Sequence, residues 1–194
     1  QGINWSIEDA NIFRKQLALL SQEYLKDTFL KPINLLGRML FGIKKDLSYQ
    51  EKYCGTGTSM IAYDIDGRTY PCHMFSPVVL GCERALELKF SGIKSSRYFN
   101  DTFCDNCNLK HWCPTCYGFN YRFRNDLFVR DHHWCKMIRI QAIASCEFQL
   151  AYYDKHIDEL SSQDMTQLKA ALKAYHQLIG DHMETDSKNT TERG

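Results

Sequence analysis

Apolar residues recur at helical spacing near both ends of the chain. This periodicity predicts helices over residues 6–27, 32 to about 41, 131–160 and 162–179. Ser6 is a residue type that caps helix N-termini, and two carboxylates follow it in the first turn, where negative charge is favoured. We expect Gly42 to end the second helix and Gly180 to end the last one. The polar tail, residues 181–194, is predicted to be disordered.

The apolar period changes in the middle of the chain, where residues 60–65 and 68–72 flank Asp66-Gly67. Such a pair predicts a β-hairpin with a two-residue turn, in which glycine supplies a positive φ. The hairpin would place Cys72 at the end of its second strand and Cys54 near the same open end. A short amphipathic piece at 82–90 has no assigned type. The alternating aromatics of 117–123 are typical of a strand, with a loop or short helix left open.

Composition narrows the class of protein. Among 194 residues, 24 Lys and Arg against 23 Asp and Glu leave a net charge of +1, so the chain lacks the basic footprint of a nucleic-acid or anionic-membrane binder. No apolar run reaches the length of a transmembrane helix. The start at Gln1 has neither a methionine nor a signal-peptide pattern. We therefore expect a segment of a longer, cytoplasmic protein.

The nine cysteines carry the candidate chemistry. An odd number would leave one thiol over in a disulfide framework, and clustered thiols in a reducing compartment point to metal binding. Four of them fall in CDNCNLKHWCPTC, residues 104–116, which we call the knuckle. Outlying cysteines at Cys54, Cys72 and Cys135 are placed to complete its metal sites. Cys135 is expected one turn inside a helix, where the positive helix end favours a thiolate.

The order of these cysteines resembles the SPASM domain, the C-terminal auxiliary-cluster module of radical SAM enzymes that modify peptides and proteins. That pattern is a Cys, Gly-x4-Cys, Cys-x2-Cys-x5-Cys-x3-Cys and a final Cys. Here it reads Cys54, Gly67-x4-Cys72, the knuckle and Cys135, and it covers roughly residues 54 to 135. The chain departs from it in one place, because two residues instead of three separate Cys113 from Cys116.

The resemblance implies two 4Fe-4S clusters. The ligands of the first, auxiliary I, would be Cys54, Cys72 and Cys116. The ligands of the second, auxiliary II, would be Cys104, Cys107, Cys113 and Cys135. The fourth iron of auxiliary I would be open to a substrate or bound by Cys82 or Cys146. The knuckle would thus supply ligands to both clusters. Because the chain has one residue fewer than the pattern between Cys113 and Cys116, the assignment of Cys116 is the one that this departure affects most.

The same resemblance implies an α+β fold, with N-terminal helices, a small cysteine-rich hairpin and knuckle core, and C-terminal helices. The expected divisions are a helical segment, residues 1–50, that ends a radical SAM barrel or leads out of it, and the SPASM domain, residues 51–135. C-terminal helices follow at 136–180 and a disordered tail at 181–194. The chain has no Cys-x3-Cys-x2-Cys loop, so S-adenosylmethionine would bind only in a preceding barrel domain of the same protein. No residue here is expected to be catalytic.

The implied role is electron transfer or substrate binding in an enzyme that modifies a ribosomally made peptide or a protein. Its partners would be that substrate and an external electron donor such as flavodoxin or ferredoxin, with no nucleic acid and no membrane. Two alternatives stay open: a zinc-binding structural or protein-interaction domain using the same thiolates, and a stand-alone iron–sulfur electron carrier. Zinc sites with Cys-x2-Cys pairs usually separate those pairs by more than five residues.

Several residues near these cysteines have plainer interpretations. Cys146 lies mid-helix among apolar residues and is expected to fill the core as a small hydrophobe. Four histidines are assigned surface or supporting roles: His73, His111, His132 and His133. The aromatic and arginine residues of 117–124 are expected to pack over a cluster, since a neutral chain lacks the field that a nucleic-acid platform needs.

Overall fold

The computed structural model describes residues 4–26, 32–37, 54–88, 101–110 and 112–191, with side chains up to Gly180. The helices are α1 Ile7–Lys26, α2 Asn34–Gly37, α3 Pro77–Leu80, α4 Cys82–Glu87, α5 Tyr117–Arg124, α6 Cys135–Lys155 and α7 Ser162–Thr191. The strands are β1 Ala62–Tyr63 and β2 Thr69–Tyr70. The fold is therefore mostly helical with a small antiparallel sheet, which is compatible with the expected α+β class.

The described chain divides into two compact units. The helical unit contains residues 4–26, 32–37, 107–110, 112 and 133–191. The cysteine unit contains residues 54–88, 101–106 and 113–132. The first helical segment and the C-terminal helices thus belong to the same unit.

Two helices of the helical unit, α1 and α7, begin at the same kind of cap. Ser6 Oγ accepts the backbone N–H of Asp9 at 3.0 Å, while Asp9 accepts the backbone N–H of Ser6 at 2.9 Å. Ser161 and Asp164 repeat this reciprocal pair at the start of α7. Each cap satisfies N–H groups that have no partner inside the helix. The predicted start of α1 is confirmed.

Apolar side chains of α1, α2 and α6 form the core of the helical unit. Its buried members are Ala10, Leu17, Leu36, Met137, Ile140 and Phe148. Polar groups bind the short helix α2 to this core: Gln149 Nε2 donates to the Leu36 carbonyl at 2.9 Å, and Gln167 donates to Gln149 Oε1 at 2.9 Å. Each of these two buried amides makes at least one hydrogen bond, which offsets part of the cost of burying it, although Gln167 Oε1 accepts none from the described residues.

The boundaries of two predicted helices differ from the structure. A 3₁₀ turn, His132–Trp134, precedes α6, because Asp131 pairs with Arg124 at 2.9 Å instead of opening the helix. Cys135 is therefore the first residue of α6 and not a turn inside it. Gly180 does not end α7, which continues to Thr191; Gly180 lacks the positive φ of a helix-terminating glycine. The expected end of the second helix at Gly42 lies outside the described residues.

The predicted hairpin is present, but its turn is longer than expected. Tyr63 pairs with Thr69, and three residues, 65–67, form the loop beyond Asp64 and Arg68. Gly67 has φ +76°, whereas Asp66 does not adopt a positive φ. The prediction of a two-residue turn was wrong, because a type I′ turn at Asp66-Gly67 needs a positive φ at both residues. Asp64 instead accepts the backbone N–H groups of Asp66 and Arg68, which stabilises the wider loop.

The cysteine unit packs short elements around a small apolar core. Its buried members are Tyr70, Cys72, Phe75, Leu80, Ala85 and Tyr117. The open assignments are resolved: 82–87 and 117–124 are helices α4 and α5. Tyr117 is buried, while the rings of Phe119 and Phe123 contact each other along one side of α5, with centroids 4.5 Å apart and planes tilted by 47°. Helical spacing of every fourth residue, and not strand alternation, explains that aromatic pair.

Candidate metal centre

All nine cysteines lie in the described part of the chain, and none forms a disulfide. Six of them belong to the cysteine unit, and three belong to the helical unit. The cysteine unit holds Cys54, Cys72, Cys82, Cys104, Cys113 and Cys116; the helical unit holds Cys107, Cys135 and Cys146. The complete predicted set for auxiliary I therefore lies in one unit, whereas the auxiliary II set draws on both.

A backbone hydrogen bond brings the Cys54 loop to the segment that carries Cys72. The N–H of Gly57 donates to the carbonyl of Pro71 at 3.0 Å. Three successive N–H groups, at residues 58–60, donate to the carbonyl of Gly55 and close the loop on itself. Cys54 then packs against the core that contains Cys72, and its Sγ lies 3.0 Å from Thr56 Oγ1. The hairpin thus places two cysteines separated by seventeen residues in one core, as predicted.

A close approach between Gly118 and Met74 brings the segment that carries Cys116 next to the segment that carries Cys72. Cys72 precedes the 3₁₀ turn His73–Phe75, and Cys116 is the N-cap of α5. A Cβ on Gly118 would overlap Met74 Cβ and lie 3.3 Å from the Met74 carbonyl carbon and oxygen. Only glycine therefore allows α5 to begin this close to the turn.

The pKa of the Cys116 thiol is raised above its usual range. Loss of solvation is the largest cause of the raised pKa of Cys116, and Cys72 and Cys54 raise this pKa further. The backbone N–H groups of Phe119 and Gly118 act in the opposite direction because they bond the sulfur. The residue as a whole is exposed, yet enough protein surrounds its sulfur for desolvation to dominate.

The other end of α5 is held by polar contacts. Arg84 of α4 donates to the carbonyls of Tyr121 and Arg122 at 2.9 and 3.2 Å, and its guanidinium lies over the Tyr121 ring. Asn125 ends the helix in the left-handed conformation, with φ 56°. A cation at the C-terminal carbonyls of a helix is stabilising. The position of Cys116 is thus supported from both ends of α5.

A second group of donors surrounds Cys104. The ligand atoms of Asp101, Cys104 and His132 all lie within 4.8 Å of one another. His132 Nε2 is 2.8 Å from Asp101 Oδ2. Among the residues that the structure describes, the sulfurs of Cys54, Cys72 and Cys116 do not make a group this close. The two sets therefore differ both in donor chemistry, three thiols against one thiol, one carboxylate and one imidazole, and in the spacing of the donor atoms.

Backbone N–H groups hold the carboxylate of Asp101 in place. Its carboxylate accepts the backbone N–H of Arg130 at 2.9 Å and that of Phe103 at 3.2 Å. Burial raises the pKa of Asp101, but the N–H of Arg130, the His132 ring and the N–H of Phe103 together lower it more, so the net pKa is below its usual range. Asp101 is therefore an anion in the folded protein near neutral pH.

Sequence reasoning did not find Asp101, and it gave His132 a surface or supporting role. These two residues are 31 positions apart in the sequence, so no local sequence pattern predicts their contact. Cys82 is exposed at the first turn of α4, and it contributes to the raised pKa of Tyr70. Cys146 is completely buried in α6, so its predicted place in the core is confirmed. His111 lies outside the described residues.

No protein-family model, curated protein or solved structure matches the chain. The functional argument therefore depends on the donors themselves. Nine free thiols and the Asp101, Cys104 and His132 group are the chemistry of a metal-binding protein. Cys54 and Cys72 lie near enough to Cys116 to raise its pKa, and the two N–H groups at the start of α5 bond the Cys116 sulfur, an arrangement that suits a group held by thiolates.

None of the helices in the described part of the chain is long and apolar enough to cross a membrane.

Proposed function

We propose that the chain is an auxiliary iron–sulfur module of a radical SAM enzyme that modifies a ribosomally made peptide or a protein. The observation that carries the proposal is the approach of Cys54, Cys72 and Cys116 within the cysteine unit. These three residues are the set that the SPASM-like pattern assigns to one cluster. Their sulfurs are more widely spaced than donors to a single ion, and a four-iron cluster binds each thiolate through a different iron.

The protein's own groups would orient the cluster and adjust its electronic properties. The Gly57–Pro71 hydrogen bond positions Cys54 and Cys72, while the Gly118–Met74 contact positions Cys116. The N–H groups of Gly118 and Phe119 stabilise negative charge on the Cys116 sulfur. A bound cluster supplies one-electron storage, and hydrogen bonds to sulfur raise its potential.

The second cluster, with Cys104, Cys107, Cys113 and Cys135, remains part of the proposal on the strength of the sequence pattern. So do the radical SAM barrel, the peptide or protein substrate and the flavodoxin- or ferredoxin-like electron donor. In the proposed enzyme, this module accepts an electron from the substrate radical or holds the substrate at an open iron. S-adenosylmethionine binds elsewhere, because the chain has no Cys-x3-Cys-x2-Cys loop.

Anaerobic reconstitution with iron and sulfide tests the proposal. We expect a brown protein with about eight irons and about eight acid-labile sulfides, the content of two four-iron clusters. Replacing Cys116 with Ala should remove about half of the iron, since three ligands meet there. Cys146→Ala is the matched control, because Cys146 is buried apart from this set, and it should keep the full iron content.

A zinc-binding interaction module is the second candidate, and the close Asp101, Cys104 and His132 group favours it. Zinc accepts sulfur, imidazole and carboxylate donors together. Metal analysis of protein purified without exposure to air separates the candidates. Bound zinc with neither sulfide nor colour, before and after reconstitution, would overturn the iron–sulfur proposal.

A further inference from the structure

The donors around Cys104 form a site that the cysteine pattern does not predict. Asp101 and Cys104 are nearly inaccessible, with 6% and 5% of their surface exposed, and the His132 side chain is 37% exposed. One side of the group is therefore open to solvent. Asp101 caps the 3₁₀ turn Thr102–Cys104 and Cys104 is its last residue, so the turn itself sets the spacing of two of the three donors.

The spacing of these donors fits a single ion. Ligands on one tetrahedral zinc, at about 2.0–2.3 Å from the metal, stand about 3.5 Å apart. A mutual limit of 4.8 Å brings Asp101, Cys104 and His132 close to that arrangement with small side-chain movements. Thiolates on separate irons of a cluster are more widely spaced.

We propose that Asp101, Cys104 and His132 bind one divalent cation of the zinc class, with the fourth position open on the exposed side of His132. The donor set combines one sulfur, one imidazole and one carboxylate, which zinc accepts and magnesium or calcium does not prefer. Two anionic donors, once the thiol is deprotonated, neutralise the charge of the ion.

Neighbouring groups hold two of these donors in place before metal binds. The N–H groups of Arg130 and Phe103 direct the Asp101 carboxylate. The Phe103 ring stacks on His132 with centroids 4.1 Å apart and an interplanar angle of 24°. A bound ion would take the place of the proton shared by His132 and Asp101. It would also link the segment around residue 132 to the turn at residues 102–104.

This site goes beyond the proposed cluster function and shares only Cys104 with it. Filling it with a single ion would withdraw Cys104 from the auxiliary II set. It would leave Cys54, Cys72 and Cys116 available for their own cluster. The two ideas compete for Cys104 alone, and their tests are separate: the iron content of the Cys116→Ala variant tests the set of Cys54, Cys72 and Cys116, and metal binding at His132 in the iron-free chain tests the second site.

Titration of the iron-free, sulfide-free full chain with Co²⁺ alone, under anaerobic reducing conditions, tests the site. We expect the tightest cobalt to give a tetrahedral spectrum with charge transfer from one thiolate. X-ray absorption of the one-zinc form should show one sulfur and two or more nitrogen or oxygen donors. His132→Gln should weaken this binding more than about tenfold, because loss of even a supporting group costs that much. Glutamine can still donate to Asp101, so the local fold is kept.

His133→Gln is the matched control for the neighbouring histidine, and Cys107→Ala is the control for the knuckle. Both should bind the first cobalt as tightly as the parent chain does. A first ion surrounded by four sulfurs, or a His132→Gln variant with unchanged affinity, would overturn the proposal. The proposal would also be overturned if Cys107→Ala lost the first cobalt while His132→Gln bound it fully. Circular dichroism of each variant verifies that the helices are intact.

Discussion

A buried thiol shows how strongly environment decides what a cysteine can do in this chain. Cys146 has no exposed surface, and burial raises its pKa from 9.0 to about 12, with a smaller contribution from Glu147. It therefore stays protonated at neutral pH and is a poor metal ligand or nucleophile. Loss of solvation also raises the pKa of Cys116, but Cys116 caps a helix N-terminus, where the backbone N–H groups of Phe119 and Gly118 act in the opposite direction.

The raised pKa of Cys146 predicts a loss of stability at alkaline pH. In the unfolded chain this thiol ionises near pH 9, whereas in the folded chain it stays protonated until about pH 12. The unfolded state thus loses its proton first. Above pH 9 the free energy of unfolding should fall by about 1.4 kcal/mol per pH unit from this group. Below pH 9 the contribution is fully present.

Urea unfolding of the reduced, metal-free chain at pH 7, 9 and 10.5 measures this effect against Cys146→Ala. Alanine removes a buried sulfur, so the variant should be less stable at pH 7 by about 1–2 kcal/mol. Because alanine does not titrate, the difference between the two proteins should shrink between pH 9 and 10.5. An equal difference at all three values would mean that Cys146 ionises normally in the folded state.

The proposed metal donors could be predicted from the sequence only where a short-range pattern sets their position. The proximity of Cys54 and Cys72 was predicted because a hairpin signal lies between them, whereas the assignment of Cys116 to their set comes from the motif and stays a prediction. Asp101 and His132 were not found as a pair, since their 2.8 Å contact arises from tertiary packing across 31 residues. Local patterns carry no information on such a contact.

Among the elements, the start of α5 lies unusually close to its neighbour, because Gly118 packs directly against Met74. Gly118→Ala should place a Cβ against Met74 and its carbonyl group, at distances that require the backbone to move. Overpacking of this kind costs about 1–3 kcal/mol, which exceeds the gain of about 1 kcal/mol from alanine's helix propensity. Thermal unfolding should therefore show a less stable protein, and reconstitution should give less iron.

Gly180→Ala provides the matched control within another helix. A Cβ there meets nothing within 4 Å, and Gly180 lies inside α7. This substitution should be neutral or stabilise the chain by up to about 1 kcal/mol. If Gly118→Ala proved as harmless as Gly180→Ala, the close approach would not set the position of Cys116.

The elements also show where hydrophobic pattern misleads. Alternating aromatics at 117–123 resemble a strand, but α5 is a helix because its C-terminal carbonyls are capped by Arg84 and Asn125. Gly180 resembles a helix end, but α7 continues through it. The helices α1 and α6 were predictable because their apolar stripes are long and pack on one another. Short elements depend on tertiary contacts that periodicity does not contain.

At the scale of the whole molecule, the two units differ in what stabilises them. The helical unit has long helices, α1, α6 and α7, with an apolar core and hydrogen-bonded amides. The cysteine unit has two-residue strands and, in its described part, helices of at most eight residues. Small units with so little regular structure usually need a metal or cross-links for stability. Metal binding by this unit should therefore be coupled to its folding.

Hydrogen exchange of the iron-reconstituted and iron-free chains tests that coupling. Removal of iron should speed exchange of the amides in β1, β2 and α5 by about tenfold or more, because opening of the cysteine unit becomes easier. Amides in the middle of α1 and α6 should change far less, since their core contains no proposed ligand. Far-ultraviolet circular dichroism should fall only slightly. Equal acceleration in both units would show that the chain folds as one cooperative body, and unchanged exchange in β2 and α5 would show that the cysteine unit is stable without metal.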